Sequence, residues 1–129
     1  MKVVPSFCLA LLLAATSAVA SAQSFSCGGV GQDEQQRMKA EAGSHDLMLT
    51  FATSSGAYMA DVTVRIQNGR GATVLDARCD GPILLADLPG PGTYRVTASA
   101  AGASKQRSVT VGRGKRPASA TFVWPAGAN

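Results

Sequence analysis

CDGPILLADLPGPGTYRVTASA, running from Cys79 to Ala100, is the stretch whose reading decides the fold. Asp80-Gly81-Pro82 is a turn cluster, and Pro89-Gly90-Pro91-Gly92 is a second, harder break. Between them Ile83 to Leu88 is a short apolar run, the length of a buried strand. After the second break Tyr94, Val96, Ala98 and Ala100 alternate with Thr93, Arg95, Thr97 and Ser99. Side chains along a strand point alternately to its two faces, so one face of this segment is apolar and the other polar.

The same pattern extends in both directions. Asp46 to Ala52 alternates, with Leu47, Leu49 and Phe51 on one side. Thr53 to Gly56 is a loop. Ala60 to Asn68 carries the cleanest alternation in the chain: Val62, Val64 and Ile66 face inward, and Asp61, Thr63, Arg65 and Gln67 outward. Asn68-Gly69 is a hairpin signal that Arg70-Gly71 lengthens, and Thr73 to Arg78 returns as a strand. Downstream, Ala101-Gly102-Ala103 turns the chain into Lys105 to Val111. Gly112 to Lys115 turns it again into Ala118 to Trp124, which Pro125 ends; Ala126 to Asn129 is expected to fray. The reading is all-β, a sandwich of seven short antiparallel strands over residues 46–125, each sheet with one wet face.

Ahead of the sandwich, residues 23–45 form an arm and a short helix. Ser26 to Gly31 is glycine-rich and reads as an extended arm held at Cys27. Asp33 to Ala42 is the helical stretch, with Asp33 and Gln36 in capping-box spacing and Gly43 as the stop. Its apolar face is little more than Met38 and Ala42, so it should lean on the core from outside.

At these residues a family resemblance emerges. Ala60 to Ile66, then Asp80-Gly81-Pro82, then Leu-Pro-Gly-Pro-Gly-Thr-Tyr ending at Tyr94 resembles the carboxypeptidase regulatory-like domain. The resemblance implies a transthyretin-like (prealbumin-like) Greek-key sandwich of seven strands. The whole chain is also similar to small exported proteins of Gram-negative bacteria that consist of this module. Gly28-Gly29-Val30-Gly31, the segment His45 to Ala52, Ser55 to Tyr58 and the closing Phe122-Val123-Trp124 carry that likeness. It brings no activity with it: in the namesake enzymes the module is an appendage to a catalytic domain, and no catalytic domain is expected to accompany it here.

Residues 1–22 read as a signal peptide. Lys2 supplies a positive charge, Phe7 to Ala15 an apolar core, and small residues allow cleavage after Ala20 or Ala22. That apolar run is shorter than the ~20 residues a membrane span needs, and nothing longer follows it. The expected location is the periplasm, with secretion beyond it as the other outcome. Three cysteines are present, and removing the leader leaves Cys27 and Cys79. In an oxidising compartment the pair reads as one bridge, or else as two separate buried thiols.

Chemistry is scarce. A single histidine, His45, excludes zinc peptidase chemistry and frames no nucleophile. Asp76, Asp80 and Asp87 are near in sequence but suit turns and strand ends better than an acid–base pair. Gly28 to Gly31 lacks the Gly-Lys-Ser/Thr ending of a phosphate loop. No catalytic, metal or cofactor residue is therefore expected. The net charge is +4, and no acidic residue follows Asp87. Lys105, Arg107, Arg113, Lys115 and Arg116 are the candidate contacts to a polyanion such as lipopolysaccharide. Interleaved stacking aromatics are missing, so nucleic acid is not an expected partner. Tyr58 and Met59 are the candidate apolar contact spot. The leading expectation is a non-enzymatic binding or structural module of the cell envelope, with a cationic polyanion binder as the alternative and a small hydrolase third.

Overall fold

The computed structural model describes residues 24–112 and 116–127. The expected leader and its two expected cleavage sites lie outside them, as do Arg113, Lys115 and the end of the tail. The strands are β1 (Phe25–Gly28), β2 (Leu47–Thr53), β3 (Val62–Gln67), β4 (Thr73–Cys79), β5 (Ile83–Ala86), β6 (Gly92–Ala100), β7 (Ala103–Val111) and β8 (Ala118–Trp124). One helix, α1 (Gln32–Glu41), runs into a 3-10 turn at Ala42–Ser44. The strands form two four-stranded sheets, a first in the order β1-β5-β2-β8 and a second in the order β4-β3-β6-β7. Among the described residues no helix is long and apolar enough to cross a membrane.

The chain is an all-β sandwich, with two corrections. The described residues hold eight strands, not seven: the glycine-rich arm pairs antiparallel with β5, from Phe25↔Ala86 to Gly28↔Ile83. Small residues show no alternation, yet their backbone can still complete a ladder. The sheets are also not wholly antiparallel. β2 and β8 run parallel along seven pairs, Leu47↔Ala118 to Thr53↔Trp124. A parallel pair needs a long connection, and here the whole second sheet intervenes.

Between the sheets lies the main core. Leu47, Leu49 and Phe51 of β2 face Val62, Val64 and Ile66 of β3 and Val96 and Ala98 of β6. All three inward teeth of β3 are fully buried. Phe51, Phe122 and Trp124 meet as tilted rings with centroids 6.1–6.4 Å apart, a favoured geometry for aromatic contact. Burying each such side chain is worth roughly 1.5–3 kcal/mol. The Pro-Gly-Pro-Gly break is fixed by Tyr94, whose phenol donates to the Gly90 carbonyl at 2.7 Å. This is the geometry of a tyrosine corner, in which a strand-start phenol bonds the backbone just upstream.

A smaller cluster lies outside the first sheet. Met38 and Ala42, one turn apart, pack on Ile83 and Leu85 with Met48 beside them. Two apolar residues suffice because the helix is only ten residues long and covers one small patch. Its ends differ from expectation. Gly31 is the N-cap, at φ 94°, with no side-chain cap, and Asp33 sits inside the first turn. There it complements the helix dipole instead of forming a capping box. Gly43 does not stop the chain, which passes through the 3-10 turn and leaves at extended His45.

The two open sides of the sandwich close differently. On one side Cys27 of β1 and Cys79 of β4 form a disulfide with Cα atoms 5.4 Å apart. This settles the choice between a bridge and two thiols. Gly81 lies against the Gly28 backbone beside it, with no room for a Cβ. On the other side β7 and β8, both sheet edges, meet through side chains. Arg107 Nη1 donates to the Thr121 carbonyl at 2.7 Å and Trp124 Nε1 to the Ala103 carbonyl at 3.2 Å. Past β8, the Ala126 N–H donates to Ser54 Oγ at 3.0 Å, which ties down the first residue of the stretch expected to fray.

Candidate functional site

Turn backbone builds the most distinctive concavity. After β1 the chain turns at Gly29, at φ 93°, a conformation that side chains rarely adopt. Opposite it, the segment Ala57–Met59 lies along the end of β2. Thr53 N–H donates to Ala57 O at 2.7 Å, and Met59 N–H to Phe51 O at 3.1 Å. Between the two runs Pro82, whose carbonyl accepts from Phe51 N–H at 2.9 Å. Gly29, Val30, Gln35, Tyr58, Met59 and Pro82 thus surround a largely apolar cleft of about 260 Å³ at the start of α1.

Two apolar side chains at its rim face water: Val30 is 68% exposed and Tyr58 45%. Tyr58 bridges to Ala52, and Ala52 pairs in turn with Val123 of β8. Cross-strand partners project on the same side of a sheet, so Tyr58, Ala52 and Val123 form one row on the outer face of the first sheet. Val123 is 46% exposed. The expected contact pair is thereby corrected. Tyr58 is on the surface, but Met59 is buried in the main core and anchors the segment from beneath. Val30 and Val123 stand in its place. Val30 was hidden in a glycine run, and Val123 became visible only when its row was known.

The expected cationic set is divided. Lys105 and Arg107 occupy β7 positions whose partners, Ala98 and Val96, are inward-facing and buried. They therefore point inward at a sheet edge, a device that discourages pairing with another chain's strand. Arg107 is committed to Thr121, and the pair lines a shallow depression of about 270 Å³ over the seam. Arg116 is exposed, while Arg113 and Lys115 lie outside the described residues.

His45, Asp87 and Ser24 do come together. The Asp87 carboxylate sits between them, 3.2 Å from His45 Nδ1 and 3.1 Å from Ser24 Oγ, which donates to it. A nucleophile triad needs the imidazole in contact with the hydroxyl and the carboxylate behind. Here the order is wrong, and the cluster ties β1 to the β5–β6 connection. Asp46 Oδ2 accepts the Leu88 N–H in the same region at 2.9 Å. Asp76 belongs elsewhere, paired with Arg65 at 3.3 Å. Among the described residues no group of three or more metal-ligating side chains gathers.

No protein-family model matches this chain. No curated protein matches it either. The functional reading therefore rests on the geometry and on the sequence itself.

Proposed function

We propose that the chain is a non-enzymatic, exported β-sandwich of the carboxypeptidase regulatory-like, transthyretin-like Greek-key kind. It acts as a binding module in the cell envelope, and its end cleft receives an apolar side chain of a partner protein. The observation that carries this reading is the cleft itself: a 260 Å³ concavity whose rim exposes Val30 and Tyr58. Loops positioned by a rigid sandwich are common binding sites, and exposed aromatics over a preformed pocket are common anchors. The tyrosine corner supports the Greek-key assignment. The disulfide supports export, since such bonds persist in oxidising compartments. A leader removed after Ala20 or Ala22 would deliver the chain to the periplasm.

The test compares the exported protein with a Val30→Asp/Tyr58→Ala variant in pull-downs from periplasmic extract. A discrete partner should be retained by the first and lost by the second, with thermal melting unchanged. Equal capture by both, or turnover of a small molecule by the purified protein, would overturn the reading. The alternative is a cationic binder of envelope polyanions. It is favoured by the adjacency of Lys105 and Arg107 over the β7–β8 seam, and it requires binding that reversal of those charges abolishes.

A further inference from the structure

The outer face of the second sheet is not covered by any element among the described residues, and its composition is unusual. The outward positions are Thr63, Arg65 and Gln67 on β3, and Arg95, Thr97 and Ser99 on β6. On β7, Gln106 stands beside Thr97 and Ser108 beside Arg95. Every one of these side chains is a hydroxyl, an amide or a guanidinium, and on β4 Asp76 and Arg78 stand beside Arg65 and Thr63 on the same face. None is apolar or aromatic.

The face is also hollow. A depression of about 360 Å³ lies over Arg65, Gln67, Asp76, Thr97 and Gln106. Another of about 420 Å³ shares Gln67 and continues to Arg70, Arg95 and Ser108. The two adjoin at Gln67, which lines both, and together they offer a trough along the strands toward the β3–β4 hairpin. Charge is uneven along it. Arg65 is matched by Asp76 at 3.3 Å, and Arg78 by Asp61 at 3.6 Å. At the hairpin end Arg70 and Arg95 make no ion pair among the described residues, and both are exposed.

We infer that this trough binds an acidic polysaccharide, a sugar chain that carries carboxylates. The guanidiniums of Arg70 and Arg95 match carboxylate geometry and can engage it in paired hydrogen bonds. The hydroxyls and amides on the floor need partners that both donate and accept, which sugar hydroxyls supply; an unmatched polar group buried by a ligand would oppose binding. A nucleic acid strand would find no exposed ring to stack on, since Tyr94 at the hairpin end is buried. A peptide would find no apolar pocket for an anchoring side chain. The trough lies on the opposite sheet from the end cleft, so either site can fail without the other.

The experiment is calorimetric titration of the exported protein with a size-defined oligogalacturonate, with neutral oligosaccharide and phosphate-rich lipopolysaccharide as comparison ligands. Oligogalacturonate should bind saturably and more weakly as salt rises. Replacing both arginines (Arg70→Gln with Arg95→Gln) should weaken it by about tenfold or more, because each charge-assisted contact is lost. Lys105→Gln with Arg107→Gln should leave the affinity within about twofold, since neither side chain lies in the trough. The inference is overturned by absence of binding, by unchanged affinity in the Arg70/Arg95 variant, or by an equal loss in the Lys105/Arg107 variant. It is equally overturned if neutral sugar binds as well, or if lipopolysaccharide binds and oligogalacturonate does not. A melting curve matching the parent protein shows that the arginine variant is folded.

Discussion

The two sheets share one core and differ on their outer faces. Outside the first sheet, Met48, Ile83 and Leu85 are apolar and lie under Met38 of α1 and Ala42 of the 3-10 turn that follows it. Outside the second, the corresponding pleat positions carry hydroxyls, amides and charges and remain open to water. β5 shows the difference most sharply, since all four of its residues are buried, while β3 alternates buried and outward positions. A strand needs one apolar face to join the sandwich. A second apolar face obliges the chain to supply a cover, and here the cover is a ten-residue helix. The face without that obligation is free to recognise a ligand.

The largest expected effect comes from cutting the covalent link between the sheets. Replacing Cys27 and Cys79 with serine opens a loop spanning 52 residues. Unfolding stability by urea titration should fall by about 4 kcal/mol. A fall under about 1 kcal/mol would mean that the core alone aligns the sheets. Next comes the covered face: Leu85→Ala should cost about 2–5 kcal/mol and reduce the helical circular dichroism signal, because α1 loses its seat. If stability falls and the helix signal does not, the helix holds itself and the contrast between the faces weakens.

A smaller effect is expected at the seam. Arg107→Ala removes the 2.7 Å bond to Thr121 and should cost about 1 kcal/mol. It should also raise concentration-dependent self-association in sedimentation, since a charge guarding two edges is gone. The smallest effect belongs to the bare face. Thr97→Ala should change stability by no more than about 0.5 kcal/mol. A cost like that of Leu85 would show that the bare face is structural and would remove the contrast altogether.

Much of the architecture was legible because it depends on alternation. Val62, Val64 and Ile66, and Tyr94, Val96 and Ala98, could be assigned to the interior from period two alone, and they are buried. The arm was not legible as a strand, because Ser26, Cys27 and Gly28 pair through backbone that carries no side-chain pattern. The helix start misled, because Asp33 stands in capping-box spacing while the chain turns two residues earlier, at Gly31. For the cleft, Tyr58 was identifiable as an aromatic in a loop. Its partners were not, because Val30 and Val123 are far apart in sequence and share only a place on one sheet end. The trough was half visible: the polar positions could be read strand by strand, but not that two hollows adjoin at Gln67.

Residue order by itself determined which side chains of each strand avoid water and where the chain must turn. These follow from local geometry and from solvation, which act on neighbours along the chain. Tertiary structure alone decided that β8 runs parallel to β2, that the glycine arm closes an edge, that Asp87 stands between Ser24 and His45, and that Arg70 and Arg95 share a trough. Each of those depends on which strands lie side by side, a choice made when both sheets close over one core.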